Sequence, residues 1–227
     1  MPRRPASLDQ MMAESIPAGP DPAALEEIAH LTADVVVHRG RAEADPEVLE
    51  RLVTLVDREG IDAVAEMWAS SPANTLPGAL WRMYLLREWV RTAPEVFALH
   101  YRLGSESAQV SHVIAGVSSP PNPRDVADLA DRVLSGLFVG DLDVALERAA
   151  AFCRVVAVGA THDADSLDRA GSGPDGEAVG IVGNLADQPI SRGAQAARRI
   201  TAGASSLEGT ARDLEEAATL WRRRRLD

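Results

Sequence analysis

Arg82 is the side chain in this sequence whose position most needs a chemical reason. At 100° per residue it projects from the apolar side of the run 76–92, one turn before Leu85 and Leu86 and two before Trp89. A guanidinium there must snorkel to water along the helix or be held by a carboxylate, because an unpaired buried charge costs several kcal/mol. Glu66, in the preceding amphipathic segment, is the expected partner. Arg82, Glu66 and Trp89 therefore form one candidate group, an ion pair or a ligand contact.

A second group lies at the start of the chain. Glu26, His30, Asp34 and His38 recur every four residues, which sets them on one side of a helix. His30, Asp34 and His38, with a carboxylate from a neighbouring helix, have the donor types of a divalent metal site. Glu27 and His30 also have the Glu-x-x-His spacing of di-metal bundles, but no second such pair follows, and a solvated face of i,i+4 pairs uses the same residues.

The third group is Arg222, Arg223, Arg224 and Arg225, which follow Leu214 and Trp221 at the close of the sequence. Cations favour a helix C-terminus. An amphipathic helix of this kind can also dock on a partner protein through Leu214 and Trp221 while its arginines meet an acidic or phosphate surface.

Other matches carry no chemistry. Gly171-Ser172-Gly173-Pro174-Asp175-Gly176 fits G-x-G-x-x-G but sits in polar sequence rather than between a strand and a helix. Gly203 to Ser206 fails as a nucleophile elbow, since Leu207 stands where glycine is required. Cys153 lies on an apolar helix face, where a thiol behaves as a small hydrophobe. All 23 basic residues are arginine. The absence of lysine excludes a P-loop and a lysine nucleophile or Schiff base. A net charge of -11 opposes general affinity for nucleic acid or anionic membrane.

The elements that would position these groups are helices. Residue pairs Asp21-Pro22, Asp45-Pro46 and Asn122-Pro123 each place a capping side chain before a proline at the first helical position. The first helix spans Pro22 to His38, with Leu25, Ile28, Thr32, Val35 and Val36 inward. The second spans Pro46 to Glu59, and a short third runs from Asp62 to Ser70. The stretch 74–104 holds five of the nine aromatic residues and reads as the central helix, restarting at Pro94 and running to Gly104. Its polar side carries Arg87, Glu88 and Arg91. Segments 105–117, 123–137 and 141–156 follow with three-and-four apolar spacing.

Residues 159–206 contain no aromatic residue and are rich in Gly, Asp, Ser and Ala, a composition that predicts a disordered linker. A last helix runs from Leu207 to about Arg225. The expected fold is thus all-α, a single bundle of seven or eight helices, with an arm over 1–20, the domain over 21–158, the linker over 159–206 and an accessory helix over 207–227. Its single cysteine and the lack of any long apolar run fit a cytoplasmic protein.

Two runs carry a resemblance: Leu76-Pro77-Gly78-Ala79-Leu80-Trp81-Arg82 with Leu86-Arg87-Glu88-Trp89-Val90-Arg91, and Gly140-Asp141-Leu142-Asp143-Val144-Ala145-Leu146-Glu147 continuing to Arg154. Over roughly residues 20–160 the chain resembles a group of short helical actinobacterial proteins of unestablished function, some of them labelled DNA-directed RNA polymerase subunit beta. The resemblance implies an intracellular housekeeping or regulatory role and brings no site residues.

These observations favour a non-enzymatic interaction or regulatory module, transcription-associated on the resemblance, with a tethered C-terminal helix that docks another protein. No cofactor is implied. The alternative is a helical-bundle enzyme or ligand-binding protein using Arg82 and a metal at the His30 row. Helix-turn-helix DNA binding through 124–154 is disfavoured, since the would-be recognition helix is apolar and acidic at its start.

Overall fold

The structure, a computed structural model, describes residues 21–38, 60–107, 122–134, 141–171 and 192–227. The arm over 1–20 and the expected second helix over 46–59 lie outside the described residues. Helices are the only regular elements among those described: α1 (Pro22–His38), α2 (Ile61–Trp68), α3 (Leu76–Thr92), α4 (Pro94–Ser107), α5 (Pro123–Leu134), α6 (Leu142–Gly171) and α7 (Arg192–Arg222). The fold is an all-α bundle.

Helix starts follow the capping chemistry. Asp21 Oδ1 accepts from Ala23 N–H at 3.1 Å. Asn122 and Asp125 form a reciprocal box, Asp125 N–H to Asn122 Oδ1 at 3.0 Å and Asn122 N–H to Asp125 Oδ2 at 3.3 Å. Thr75 caps α3 by accepting from Gly78 N–H, with Pro77 in the first turn. Pro94 restarts the chain after Ala93 because it has no N–H to continue α3.

The α3 helix touches each of the other six. Ala79, Leu80, Met83 and Leu86 have no exposed surface, so most of its circumference is core. Trp68 packs beneath it and donates from Nε1 to Thr32 Oγ1 at 3.0 Å, which ties α2 to α1. The α6 and α7 helices form a long antiparallel pair, and α4 crosses α6 on its other side.

Four expectations are corrected. Residues 159–171 and 192–206 are helical, so the expected linker over 159–206 is helix at both ends. The physical reason is small-residue packing: Ala160 and Ala164 of α6 and Ala197 and Ala204 of α7 are buried, which needs no bulky side chain. Gly104 does not end α4, and α6 runs on through Gly159 to Gly171. They are the crossing point, where a Cβ on Gly104 would lie 1.9 Å from Val155 O and one on Gly159 1.7 Å from His100 O. Leu25 and Ile28 are exposed at 46% and 43%, while Ala29 and Ala33 face the core. Arg87 is not on a solvated face; its guanidinium is mostly covered and pairs with Asp131 of α5 and with Glu88.

Candidate functional site

Arg82 is part-buried as its position demands, but its partner is not Glu66. Nε donates to Asp213 Oδ2 of α7 at 2.6 Å, and Nη1 donates to Gly78 O at 2.9 Å. Glu66 stays exposed on α2, and Trp89 is half-buried against the core. The structure therefore does not bring the predicted trio together. Arg82 instead joins the central helix to α7.

A further row of charges lies along α6 and α7. Arg154 donates from Nε to Glu215 Oε1 at 2.8 Å and from Nη2 to Glu215 Oε2 at 2.5 Å, a bidentate pair, and reaches Glu208 at 3.3 Å. Arg222 meets Glu147 at 2.5 Å and Asp143 at 3.5 Å. These contacts set the end of α7 against the start of α6. Beneath them α7 buries Ala197, Ala204, Ala211 and Ala218 on one edge and Leu207 and Leu214 on the next, with Ile200 and Trp221 half-buried in the same row. Both rows repeat at seven, the seam of a coiled coil. Leu214, expected to meet a partner, is completely buried in the chain's own core. The cause is the length of this seam, four repeats rather than the short stripe visible from Leu207 onward.

At the end of this seam is an open cleft of about 1280 Å³. One wall is α1, with Glu26, Glu27, His30, Leu31 and Asp34; the facing wall is Asp141, Asp143, Trp221, Arg222 and Arg224; Leu76 and Leu226 lie between. Arg223, Arg224 and Arg225 are exposed. The α1 wall is thus rich in carboxylates, the other wall mixes carboxylates with the guanidinium groups of Arg222 and Arg224, and Leu76 and Leu226 add apolar surface between them. Comparison with protein-family models, with curated proteins and with solved structures finds no match.

His30 and Asp34 do share the cleft face of α1, while the side chain of His38 lies outside the described residues. Among the described residues no three His, Cys, Asp or Glu side chains are grouped to hold a metal ion. Cys153 is fully buried, and burial pushes its thiol up to about 12, which leaves no thiolate nucleophile at neutral pH. Burial, followed by its hydrogen bond to Asp62, likewise pushes the Tyr84 phenol up to about 12.

Asp213 and Asp163 are among the polar partners that sequence reasoning missed. Asp163 Oδ2 lies 3.1 Å from Nε2 of His100, a buried histidine at the α4–α6 crossing. Asp163 fell in the stretch read as linker. The sevenfold row Ala197, Ala204, Ala211, Ala218 was the signal that would have restored that stretch to the fold.

Proposed function

We propose that this chain is a non-enzymatic interaction module that docks another protein at the α1–α7 cleft. What supports this reading is the placement of Trp221, Arg222 and Arg224 in a cleft whose other wall is carboxylate-rich, with the exposed Arg223 and Arg225 as their neighbours in the chain. Its docking element is the end of α7 and the residues after it, held on the bundle rather than tethered away from it. A partner that fits presents an apolar ridge between acidic and basic side chains. The resemblance extends this reading to an intracellular, transcription-associated partner. No described helix is long and apolar enough to cross a membrane; the proposed compartment is the cytoplasm, in keeping with a single cysteine held as a buried free thiol.

The ligand-binding alternative has less to rest on, because Arg82 already spends Nε and Nη1 on Asp213 and Gly78. The test is cross-linked co-purification from cells with the wild-type chain and with Arg223→Glu/Arg225→Glu. Specific partners are expected to be lost from the variant while its melting temperature is unchanged. An identical partner set would count against docking at this rim.

A further inference from the structure

Helix α1 shows solvent an apolar row. Leu25, Ile28 and Leu31 step by three, a slanting line along the helix, and all are exposed. The other exposed large apolar residues among those described, Val96, Val144 and Val158, are single positions on α4 and α6. Leu31, at 48% exposure, brings the row into the cleft beside Glu27 and Asp34. A turn fixes the facing wall. Arg224 has φ +53°, in the left-handed region, and its N–H donates to Trp221 O while Arg225 N–H donates to Leu220 O, both at 2.9 Å, the paired bonds of a Schellman turn. The reversed chain buries Leu226 and leaves Arg224 lining the cleft. Arg222 is occupied by Glu147 and Asp143. Glu26, Glu27 and Asp141 hold no ion pair among the described residues, and neither does Arg224.

We propose that the segment docked in this cleft is an amphipathic α-helix of the partner protein, its apolar ridge on Leu31 and Trp221 and a row of Lys or Arg facing Glu26 and Glu27. The inference rests on the docking reading and adds the form and the sign of what docks. At about 1280 Å³ the cleft exceeds the roughly 300–1,000 Å³ of small-molecule sites, so it fits a polypeptide segment. Its long wall is a helix, whose main-chain N–H and C=O groups are bonded within itself, so an extended segment would gain no ladder of hydrogen bonds there. A helical occupant satisfies its own backbone and presents anchors at i, i+3, i+4 and i+7. Charge then sets its sign. A neutral or acidic flank would cover Glu26 and Glu27 without supplying a cation, whereas a basic flank pairs with both. On the facing wall Asp141 and Arg224 are of opposite sign, so the preference comes from α1.

The probe is a dye-labelled synthetic helix of about 18 residues, roughly five turns, with leucine on the ridge, lysine along one flank and glutamine along the other. Its control carries glutamate in place of lysine. Anisotropy with the full chain is expected to show the lysine helix bound at least about tenfold tighter than the glutamate helix at low salt. Glu26→Lys/Glu27→Lys is expected to cancel that preference; should this pair not fold, Glu26→Gln/Glu27→Gln is expected to weaken it. Glu95→Lys/Asp165→Lys makes the same change in net charge at exposed positions outside the cleft and is expected to leave the preference in place. Leu31→Asp is expected to weaken the lysine helix at least about tenfold with the melting temperature unchanged. Equal loss in both charge-reversed pairs overturns the proposal, because net charge alone would then attract the probe. So does a glutamate helix bound as well as the lysine one. A lysine helix refused by the wild type, with a melting temperature lowered by Leu31→Asp, would mean that the chain covers its own α1 row; a dimer of the free chain dispersed by Leu31→Asp would mean that a second copy covers it. Either result overturns the proposal. Co-purification with Arg223→Glu/Arg225→Glu reads the end of α7 instead, so docking and the basic helix can fail separately.

Discussion

Arg224 shows how a single side chain can sit in the wrong conformation for its type and still be kept by its surroundings. A left-handed residue with a Cβ costs about 1 kcal/mol, and the hydrogen bonds of the turn with the burial of Leu226 outweigh it. Arg224→Gly is expected to raise stability by about 0.5–1 kcal/mol in denaturant unfolding. Arg82→Met should lower it by about 1 kcal/mol, a modest figure because Asp213 is a third exposed and water screens the pair. Both Cys153 and Tyr84 are held in the protonated form, at about 12 in the folded chain against ordinary values near 9 and 10. Their contribution to stability is complete below those ordinary values and declines as pH rises through about 9 to 12. In the native chain Cys153 should resist a thiol reagent at about pH 8 that modifies it fully once unfolded; fast native modification would contradict its burial. Arg82 could be singled out from the sequence because a cation on an apolar face has few options. Its partner could not, because Asp213 is 131 residues away and only packing brings it near.

Among the described elements, the pair α6 and α7 carries the longest seam. Leu214→Ala is expected to cost about 2–5 kcal/mol, read as a drop in melting temperature, because the residue is fully buried where α7 packs on α6. If α7 were an accessory helix the same change would be nearly silent. The α4–α6 crossing is equally specific. A Cβ on Gly159 would meet the His100 carbonyl at 1.7 Å, so the helices must separate to admit it. Gly159→Ala is expected to cost at least about 1–3 kcal/mol, while Gly203→Ala, with open space around its Cβ, should leave stability unchanged or raise it by about 1 kcal/mol from helix propensity. Legibility differed for a physical reason here. Helices α1, α2, α5 and the start of α6 announce themselves through caps, prolines and large apolar residues. The second half of α6 and the first half of α7 bury alanine and glycine, which a reading based on large apolar side chains passes over.

For the whole molecule, the acidic balance opposes binding to bare phosphate surfaces, while Arg222 and Arg224 line the cleft at one end of the bundle. Docking there should therefore weaken with salt, with dissociation faster and association slower as ionic strength rises. The sequence by itself determined the helical class, the starts of most helices and the burial of α3, because caps, proline positions and apolar periodicity act over only a few residues. It also determined which chemistries are closed, since a chain without lysine cannot use one. Tertiary structure alone decided which carboxylate holds Arg82, that Gly104 and Gly159 form a helix crossing, and that Leu214 belongs to the core. Each of these is a contact between residues far apart in the chain, and local spacing carries no record of it until the helices pack.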